Sequence, residues 1–136
     1  MTDFVVHPVG RVDSPLTELD LAPRQGDEGA PDAWLVFDER FAESARDLRP
    51  GGEILLLTWL DRADREVQVV HPRGDLSRPE QGVFSTRSPH RPNPIGLHRV
   101  TVIEADGLRL RVSGLEAIDG TPIVDVKPVL DALADR

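Results

Sequence analysis

The segment 82–96 restricts the fold of this chain more than any other feature of its sequence. Three prolines fall within six positions, at Pro89, Pro92 and Pro94. Proline has no N–H group to donate and fixes φ, so neither a helix interior nor a central strand accommodates this density. The segment is therefore predicted to be a shaped loop, ordered at low entropic cost because proline already restricts the unfolded chain.

Charge is distributed unevenly around this loop. The chain has a net charge of −8, yet residues 81–103 contain no Asp or Glu and include Arg87, Arg91 and Arg99. Guanidinium groups held on a stiff loop suit an anionic ligand. Alternatively, these arginines pair with carboxylates elsewhere on the surface. Residue types alone do not decide between the two interpretations.

Composition limits the classes of function. The chain has 136 residues, enough for one domain with a core, which is predicted to span 1–136. It has no cysteine, so disulfides, thiolate nucleophiles and cysteine zinc sites are excluded, and a reducing compartment fits. No apolar run is long enough to cross a bilayer, which predicts a cytoplasmic protein without a membrane partner. An isoelectric point near 4.9 argues against broad nonspecific binding to nucleic acid, and DNA is not expected as a partner.

Short apolar segments with a period of two predict a mainly β fold. An Asp106-Gly107 pair predicts a tight hairpin, because the turn needs a positive φ that glycine adopts freely. One helix is predicted over 38–48 with Asp38 as its cap, and a marginal helical turn after Pro128. The expected architecture is a single antiparallel β-barrel domain with one short helix and a proline-rich loop. The predicted strands are 4–12, 53–60, 66–70, 97–104, 108–112 and 122–126.

Familiar catalytic motifs are missing from the sequence. It contains neither a GxGxxG nor a GxxxxGK[ST] nor an HExxH motif, and the histidines at 7, 71, 90 and 98 have no metal-ligand spacing. A dinucleotide-binding enzyme or a metalloenzyme is therefore not expected. The residues alone leave a ligand-binding module and an enzyme equally open.

Three motifs nevertheless resemble those of the TsaA-like family, the S-adenosylmethionine-dependent methyltransferases of tRNA threonylcarbamoyladenosine. They are Pro23-Arg24-Gln25, the loop at 82–96 that reads GVFSTRSPHRPNPIG, and the segment 119–128 that reads DGTPIVDVKP. The resemblance covers almost the whole chain. It implies a β-barrel enzyme that methylates this modified nucleoside beside the anticodon of tRNA and acts as a homodimer.

The resemblance also implies two sets of site residues. Candidates for acceptor binding or proton handling are Arg91, Asn93, Asp125 and Lys127. Candidates for contact with S-adenosylmethionine are Pro23, Arg24, Gln25, Trp59, Leu60, Arg87, Leu97, Asp119, Gly120, Thr121 and Pro122.

Several of these residues also have a structural interpretation. Trp59 can belong to the core, Asp119-Gly120 is an ordinary turn pair, and Asp125 with Lys127 can form a buried ion pair on one strand face. Few of the chain's aromatic residues are expected to be exposed for stacking on RNA bases.

The sequence departs from the family pattern at three points, which bear on the substrate. Val129 stands where the family usually has Tyr, His90 stands where it often has Phe, and the C-terminal domain of the longer bacterial relatives is not in this sequence. Two alternatives therefore stay open. One is methyl transfer to another RNA or to a small molecule, and the other is a non-catalytic module that binds S-adenosylmethionine or RNA.

Overall fold

The computed structural model describes residues 2–17 and 29–130. Six of its eight strands close into a barrel in the order β1-β2-β7-β6-β3-β8, and every neighbouring pair in that barrel is antiparallel. The strands are β1 (Gly10–Asp13), β2 (Ala33–Phe37), β3 (Glu53–Trp59), β4 (Val69–Val70), β5 (Gln81–Gly82), β6 (Ile95–Asp106), β7 (Arg109–Val112) and β8 (Pro122–Pro128). The predicted antiparallel barrel is confirmed.

Alternate residues of each strand fill the barrel. In β3, Ile54 and Leu56 are buried, whereas Leu55 and Leu57 lie on the outer face and are half-buried. Each buried aliphatic side chain contributes roughly 1.5–3 kcal/mol relative to exposure, so this interior is the main source of stability. The buried cluster comprises Val12, Ala33, Leu35, Phe37, Ile54, Leu56, Val100, Val102, Leu110, Val112, Leu115, Ala117 and Ile123.

The predicted hairpin joins β6 to β7, with a shift of one residue. Asp106 pairs with Arg109, so the two turn residues are Gly107 and Leu108 rather than Asp106 and Gly107. Gly107 has φ +60°, the left-handed conformation that a glycine at the first turn position of a tight hairpin supplies. The prediction of a tight turn that depends on glycine is therefore correct, but the position of the turn is wrong by one residue.

Other elements also differ from the prediction. The first strand begins at Gly10 rather than at residue 4, the strand predicted at 66–70 shrinks to β4, β6 covers 95–106 instead of 97–104, and β2 and β5 were not predicted. β4 pairs only with β5 and lies outside the barrel sheet. The last helical turn, predicted after Pro128, is not formed at Val129 or Leu130, and residues 131–136 lie outside the described part.

The predicted helix is shorter than 38–48. Asp38 caps a 3₁₀ turn, Glu39–Phe41, which continues into α1 (Ala42–Ala45). The Arg40 N–H donates to the Asp38 carboxylate at 2.8 Å and holds the pKa of that group below its usual value. The segment tightens at its end because Arg46 N–H donates to Glu43 O, three residues back.

A long connection between β3 and β6, residues 60–94, carries β4, β5 and the proline-rich loop. Its two ends meet where Leu60 N–H donates to Pro94 O at 2.8 Å. The whole connection is therefore anchored at one end of the barrel, beside the first residues of β6.

Candidate functional site

A cleft of about 1170 Å³ lies between this connection and the end of the barrel. The connection contributes residues 60–63, 70–74, 76, 78, 81 and 84–91 to its wall, and the barrel side contributes 95–98, 116–118 and Thr121. The volume exceeds the roughly 300–1,000 Å³ of a typical single-ligand pocket. The cleft therefore has room for more than one ligand group.

The wall of the cleft is predominantly cationic. Five arginines line it, against the carboxylates of Asp61 and Glu116. Asp75 lies beside it in sequence, and hydrogen bonds from the Ser77 hydroxyl and N–H hold the pKa of this carboxyl below its usual value. The local charge thus opposes the acidic charge of the whole chain, as the segment 81–103 predicted.

Internal hydrogen bonds hold the proline-rich loop in shape. Arg91 Nη1 donates to Thr86 O at 3.1 Å and to Ser88 O at 3.0 Å. Asp64 N–H donates to His90 Nδ1 at 2.9 Å, which ties the loop to the start of the connection. Arg91 lines the cleft, but its guanidinium is already engaged with loop carbonyls.

Asn93, the second acceptor candidate, is likewise engaged within the fold. Arg65 Nη2 donates to Asn93 Oδ1 at 3.1 Å, and Arg65 Nε donates to Pro92 O at 2.7 Å. Asn93 does not line the cleft. Both contacts brace the C-terminal part of the loop.

Arg87 differs from the other loop arginines. It is exposed and lines the cleft, and within residues 2–17 and 29–130 its side chain makes no hydrogen bond and no ion pair. By contrast, Arg99 pairs with Glu53 at 2.6 Å on the outer face of the barrel. Surface pairing therefore accounts for Arg99, whereas Arg87 is available for an anionic ligand.

Only some of the predicted cofactor residues meet in this cleft. Leu60, Arg87, Leu97 and Thr121 line it. Thr121 is buried, and its hydroxyl donates to Ile118 O at 2.7 Å. Pro23, Arg24 and Gln25 lie outside the described residues.

Trp59 lies on the outer face of β3 and is only partly buried, so its interpretation as a core residue is wrong. The guanidinium of Arg65 lies 5.1 Å from its ring centroid. Trp59 does not itself line the cleft, although the next residue, Leu60, does.

Asp119, Gly120 and Pro122 flank Thr121 without lining the cleft. Asp119 Oδ1 accepts the Ser14 N–H at 3.1 Å, and Gly120 has φ +82°. The turn interpretation of Asp119-Gly120 therefore describes this structure, and the turn positions Thr121 at the cleft wall.

Asp125 and Lys127 lie on the outer face of β8, outside the cleft lining. They form an ion pair at 3.3 Å, with side chains 50% and 61% exposed. The expected pairing exists, but the pair is not buried, because both side chains point away from the barrel interior.

Three residues of the cleft region were not predicted. Phe84 is 81% exposed and lines the cleft; of the six aromatic side chains only Phe84 and Phe4 are exposed, in line with the expectation that few would be. His98 and Glu116 also line it and contact each other. Phe84 stands in the loop motif and could have been noticed there, whereas Glu116 lies in a connecting segment with no motif around it.

Neither a metal-binding group nor a membrane-spanning helix is found among the described residues. No group of three or more His, Cys, Asp or Glu side chains in 2–17 and 29–130 is arranged to hold a metal ion. No helix in this part of the chain has the length and apolarity needed to span a membrane.

Comparison with known proteins places the chain in a family. A family model described as the tRNA-methyltransferase O N-terminal domain matches residues 11–135. A protein of Archaeoglobus fulgidus called S-adenosyl-L-methionine-binding protein is 41% identical over 125 residues, which cover 91% of this chain and 88% of that protein. Another from that organism, called a probable S-adenosyl-L-methionine-binding protein, is 45% identical over 120 residues, which cover 88% of this chain but 32% of that one.

Solved structures agree with the sequence matches. TrmO from Pseudomonas aeruginosa superposes with a TM-score of 0.75 at 31% identity, covering 99% of this chain and 61% of that one. Another TrmO crystal structure gives a TM-score of 0.76 at 33% identity, covering 99% and 62%. The chain thus spans about three fifths of the length of these solved TrmO chains. By sequence and by fold, the chain belongs to the tRNA-methyltransferase O N-terminal domain family.

Proposed function

We propose that this protein binds S-adenosylmethionine in the cleft and methylates the exocyclic nitrogen of threonylcarbamoyladenosine beside the anticodon of tRNA. The observation that carries the proposal is Arg87, an arginine without a partner among the described residues, on a braced loop in a cationic cleft. Family membership supplies the reaction class, and two relatives are named for S-adenosylmethionine binding.

The residues of the cleft fit the cofactor. Arg87 can offer two parallel hydrogen bonds to the carboxylate of its methionine part. Leu60 and Leu97 supply apolar surface suited to an adenine. When bound, the cofactor supplies a methyl group already activated by a cationic sulfur. The chain then has to orient the acceptor, and orientation alone can contribute roughly 7–11 kcal/mol of the barrier.

An RNA acceptor is supported by Phe84 together with the charge of the cleft. Single-stranded bases are recognised by stacking on aromatic faces and by arginine. Phe84 is an exposed aromatic side chain on a wall that carries five arginines. Few phosphates can be neutralised by this local patch on a chain of net charge −8, so contact with tRNA is expected to be local and to take place in the cytoplasm.

Binding of S-adenosylmethionine is predicted not to depend on a metal ion, because the residues assigned to the cofactor in the cleft, Leu60, Arg87 and Leu97, are not typical metal ligands. Calorimetric titration with and without a chelator should give equal affinities. Loss of binding on chelation, or absence of binding by folded protein in both titrations, would remove this cofactor site from the account.

Phe84→Ala is predicted to weaken binding of an anticodon stem-loop by roughly 1–3 kcal/mol, the range for loss of one stacked base. Phe4→Ala is the matched control, since Phe4 is 90% exposed but does not line the cleft. Fluorescence titration at several salt concentrations should also give a shallow slope, with each phosphate contact adding roughly 0.7–0.9 to its magnitude. Equal effects of the two substitutions would argue against stacking in the cleft.

We also propose that the protein is a homodimer. The outer faces of β3 and β6 place Leu57 beside Leu97 and Trp59 beside Ile95. Ile95 and Leu97 are 45% and 42% exposed and also line the cleft, so this apolar area borders the proposed cofactor site. Such a contiguous apolar area is typical of an interface. Light scattering over a range of concentrations is expected to give twice the mass of one chain, and a single-chain mass throughout would refute the dimer.

The substrate is tested most broadly in cells. Nucleosides of tRNA from cells with and without this gene should differ in the methylated form of threonylcarbamoyladenosine. A difference in another nucleoside would favour a different RNA acceptor. Unchanged tRNA, with cofactor binding intact, would favour a small-molecule substrate or a non-catalytic binding module.

A further inference from the structure

A chain of polar side chains runs from the barrel interior to the floor of the cleft. His98 Nε2 lies 2.8 Å from Thr58 Oγ1, and His98 Nδ1 lies 2.5 Å from Glu116 Oε1. Thr58 is completely buried, and the side chains of His98 and Glu116 are 5% and 15% exposed. The proposed roles of the cofactor and acceptor residues do not use this network.

The network is unusual for its position. His98 pairs across the sheet with Leu56, and the next inward residue of β6 is Val100, so two of its neighbours in the barrel are buried aliphatic residues. Well-packed apolar residues often stabilise such a position more than a buried ionic pair does. Gly96 provides the space, because a Cβ there would collide with both Thr58 Oγ1 and His98 Nε2. A polar network that stabilises this position less than apolar residues would do suggests a role other than packing.

The hydrogen bonds define what each group does. A carboxylate only accepts hydrogen bonds, so His98 Nδ1 carries the proton that is donated to Glu116; when the ring is neutral, Nε2 accepts a hydrogen bond from the Thr58 hydroxyl. Thr58 and His98 therefore fix the position of Glu116. Glu116 lines the cleft, and within the described ranges its second carboxylate oxygen has no other hydrogen-bond partner. A positioned carboxylate oxygen thus remains available to a ligand N–H.

We propose that Glu116 is the catalytic residue that accepts the proton from the methyl-acceptor nitrogen, with His98 as its positioning residue; this inference rests on the function proposed above. As the nitrogen forms its bond to the methyl carbon, the carbon–sulfur bond breaks and the sulfur leaves as a neutral thioether. The N–H bond then breaks, its electron pair stays on nitrogen, and the proton forms an O–H bond on Glu116. Charge balances, since the sulfonium and the carboxylate are both neutralised.

The other carboxylates fit this role less well. Asp61 also lines the cleft, but it is exposed, and no hydrogen bond from the described residues holds it. Asp125 lies outside the cleft lining and pairs with Lys127. Among the carboxylates of the described part, Glu116 alone combines access to the cleft with a buried partner that orients it.

The test combines Glu116→Gln with a matched Glu39→Gln variant, since Glu39 is exposed and lies outside the cleft lining. Glu116→Gln is expected to lower the single-turnover rate of methyl transfer to tRNA by roughly 100-fold or more, the usual contribution of a general base. Its affinity for S-adenosylmethionine, measured by calorimetry, should stay within about twofold. Glu39→Gln should leave both values nearly unchanged. A wild-type rate in Glu116→Gln overturns this inference alone, and a loss confined to cofactor affinity makes Glu116 a cofactor ligand instead. An inactive wild-type protein overturns the proposed function as well.

His98 is tested by two substitutions that separate its ring nitrogens. His98→Asn places an amide N–H near Nδ1 and should retain most of the rate, whereas His98→Gln reaches toward Thr58 and should lose as much as Glu116→Gln. Proton NMR adds a readout that does not depend on activity, since the short Nδ1–H bond should give a far-downfield resonance that disappears in Glu116→Gln. Thermal unfolding of each variant verifies that it is folded. Equal methyl-transfer rates for His98→Asn and His98→Gln would show that His98 does not orient Glu116.

Discussion

Arg87→Ala is expected to weaken binding of S-adenosylmethionine by roughly 10- to 100-fold while leaving the melting temperature almost unchanged. The affinity falls because a hydrogen-bonded pair with a charged group contributes about 1.5–3 kcal/mol. Stability is preserved because Arg87 is exposed and, among the described residues, makes no hydrogen bond or ion pair that folding would lose.

Two further variants sharpen this prediction. Arg87→Lys should restore only part of the affinity, since an ammonium lacks the planar fork of a guanidinium. Arg40→Ala is the control, an exposed arginine that lies outside the cleft. Calorimetry and thermal unfolding are measured on all three. A variant at Arg87 that unfolds at lower temperature but binds normally once folded would make this arginine a structural anchor.

Gly10→Ala is expected to destabilise the barrel by about 3 kcal/mol or more. A Cβ at Gly10 would lie 2.5 Å from Val36 O and 3.0 Å from Phe37 Cα, both backbone atoms of the paired strand β2. No side-chain rotation relieves such a contact, so β1 and β2 must separate where β1 also bonds to β8. Overpacking of this kind costs typically 1–3 kcal/mol, and more where the backbone has to move.

Gly82→Ala is the matched control for Gly10→Ala. Gly82 has φ −60° and nothing within 4 Å of the added methyl group, so its stability should hardly change. Denaturant unfolding of both variants measures the difference. Equal stabilities would mean that β1 does not close the barrel through this contact.

The apolar pattern predicted six of the eight strands and missed β2 and β5. β2 reads Ala-Trp-Leu-Val-Phe, without a polar residue on either face. Its outward Trp34 is covered by the Arg109 guanidinium, 4.8 Å from the ring centroid, which the linear sequence does not reveal. Conversely, Phe4, Val5 and Val6 are apolar but exposed, since β1 pairs with its neighbours only from Gly10 onward. Apolar residues at every second position show that a segment can form a strand. Hydrogen bonding with neighbouring strands decides where that strand begins.

The candidate site was predictable only where a motif carries its chemistry. The proline content of the loop and the missing acids around Arg87 predicted a rigid cationic element, and the structure contains one. The motif did not predict which loop arginine is available to a ligand. That depends on the loop carbonyls that accept hydrogen bonds from Arg91. His98 and Glu116 are 18 positions apart and meet only through the fold of the barrel.

The most direct test of this account is methyl transfer by the purified protein from isotope-labelled S-adenosylmethionine to two preparations of the same tRNA, one carrying threonylcarbamoyladenosine and one lacking it. Mass spectrometry of the digested nucleosides measures where the label goes. Label is expected on threonylcarbamoyladenosine alone, and none is expected in the unmodified preparation. Binding of the cofactor without label in either tRNA, or label on a different nucleoside in both, would contradict it.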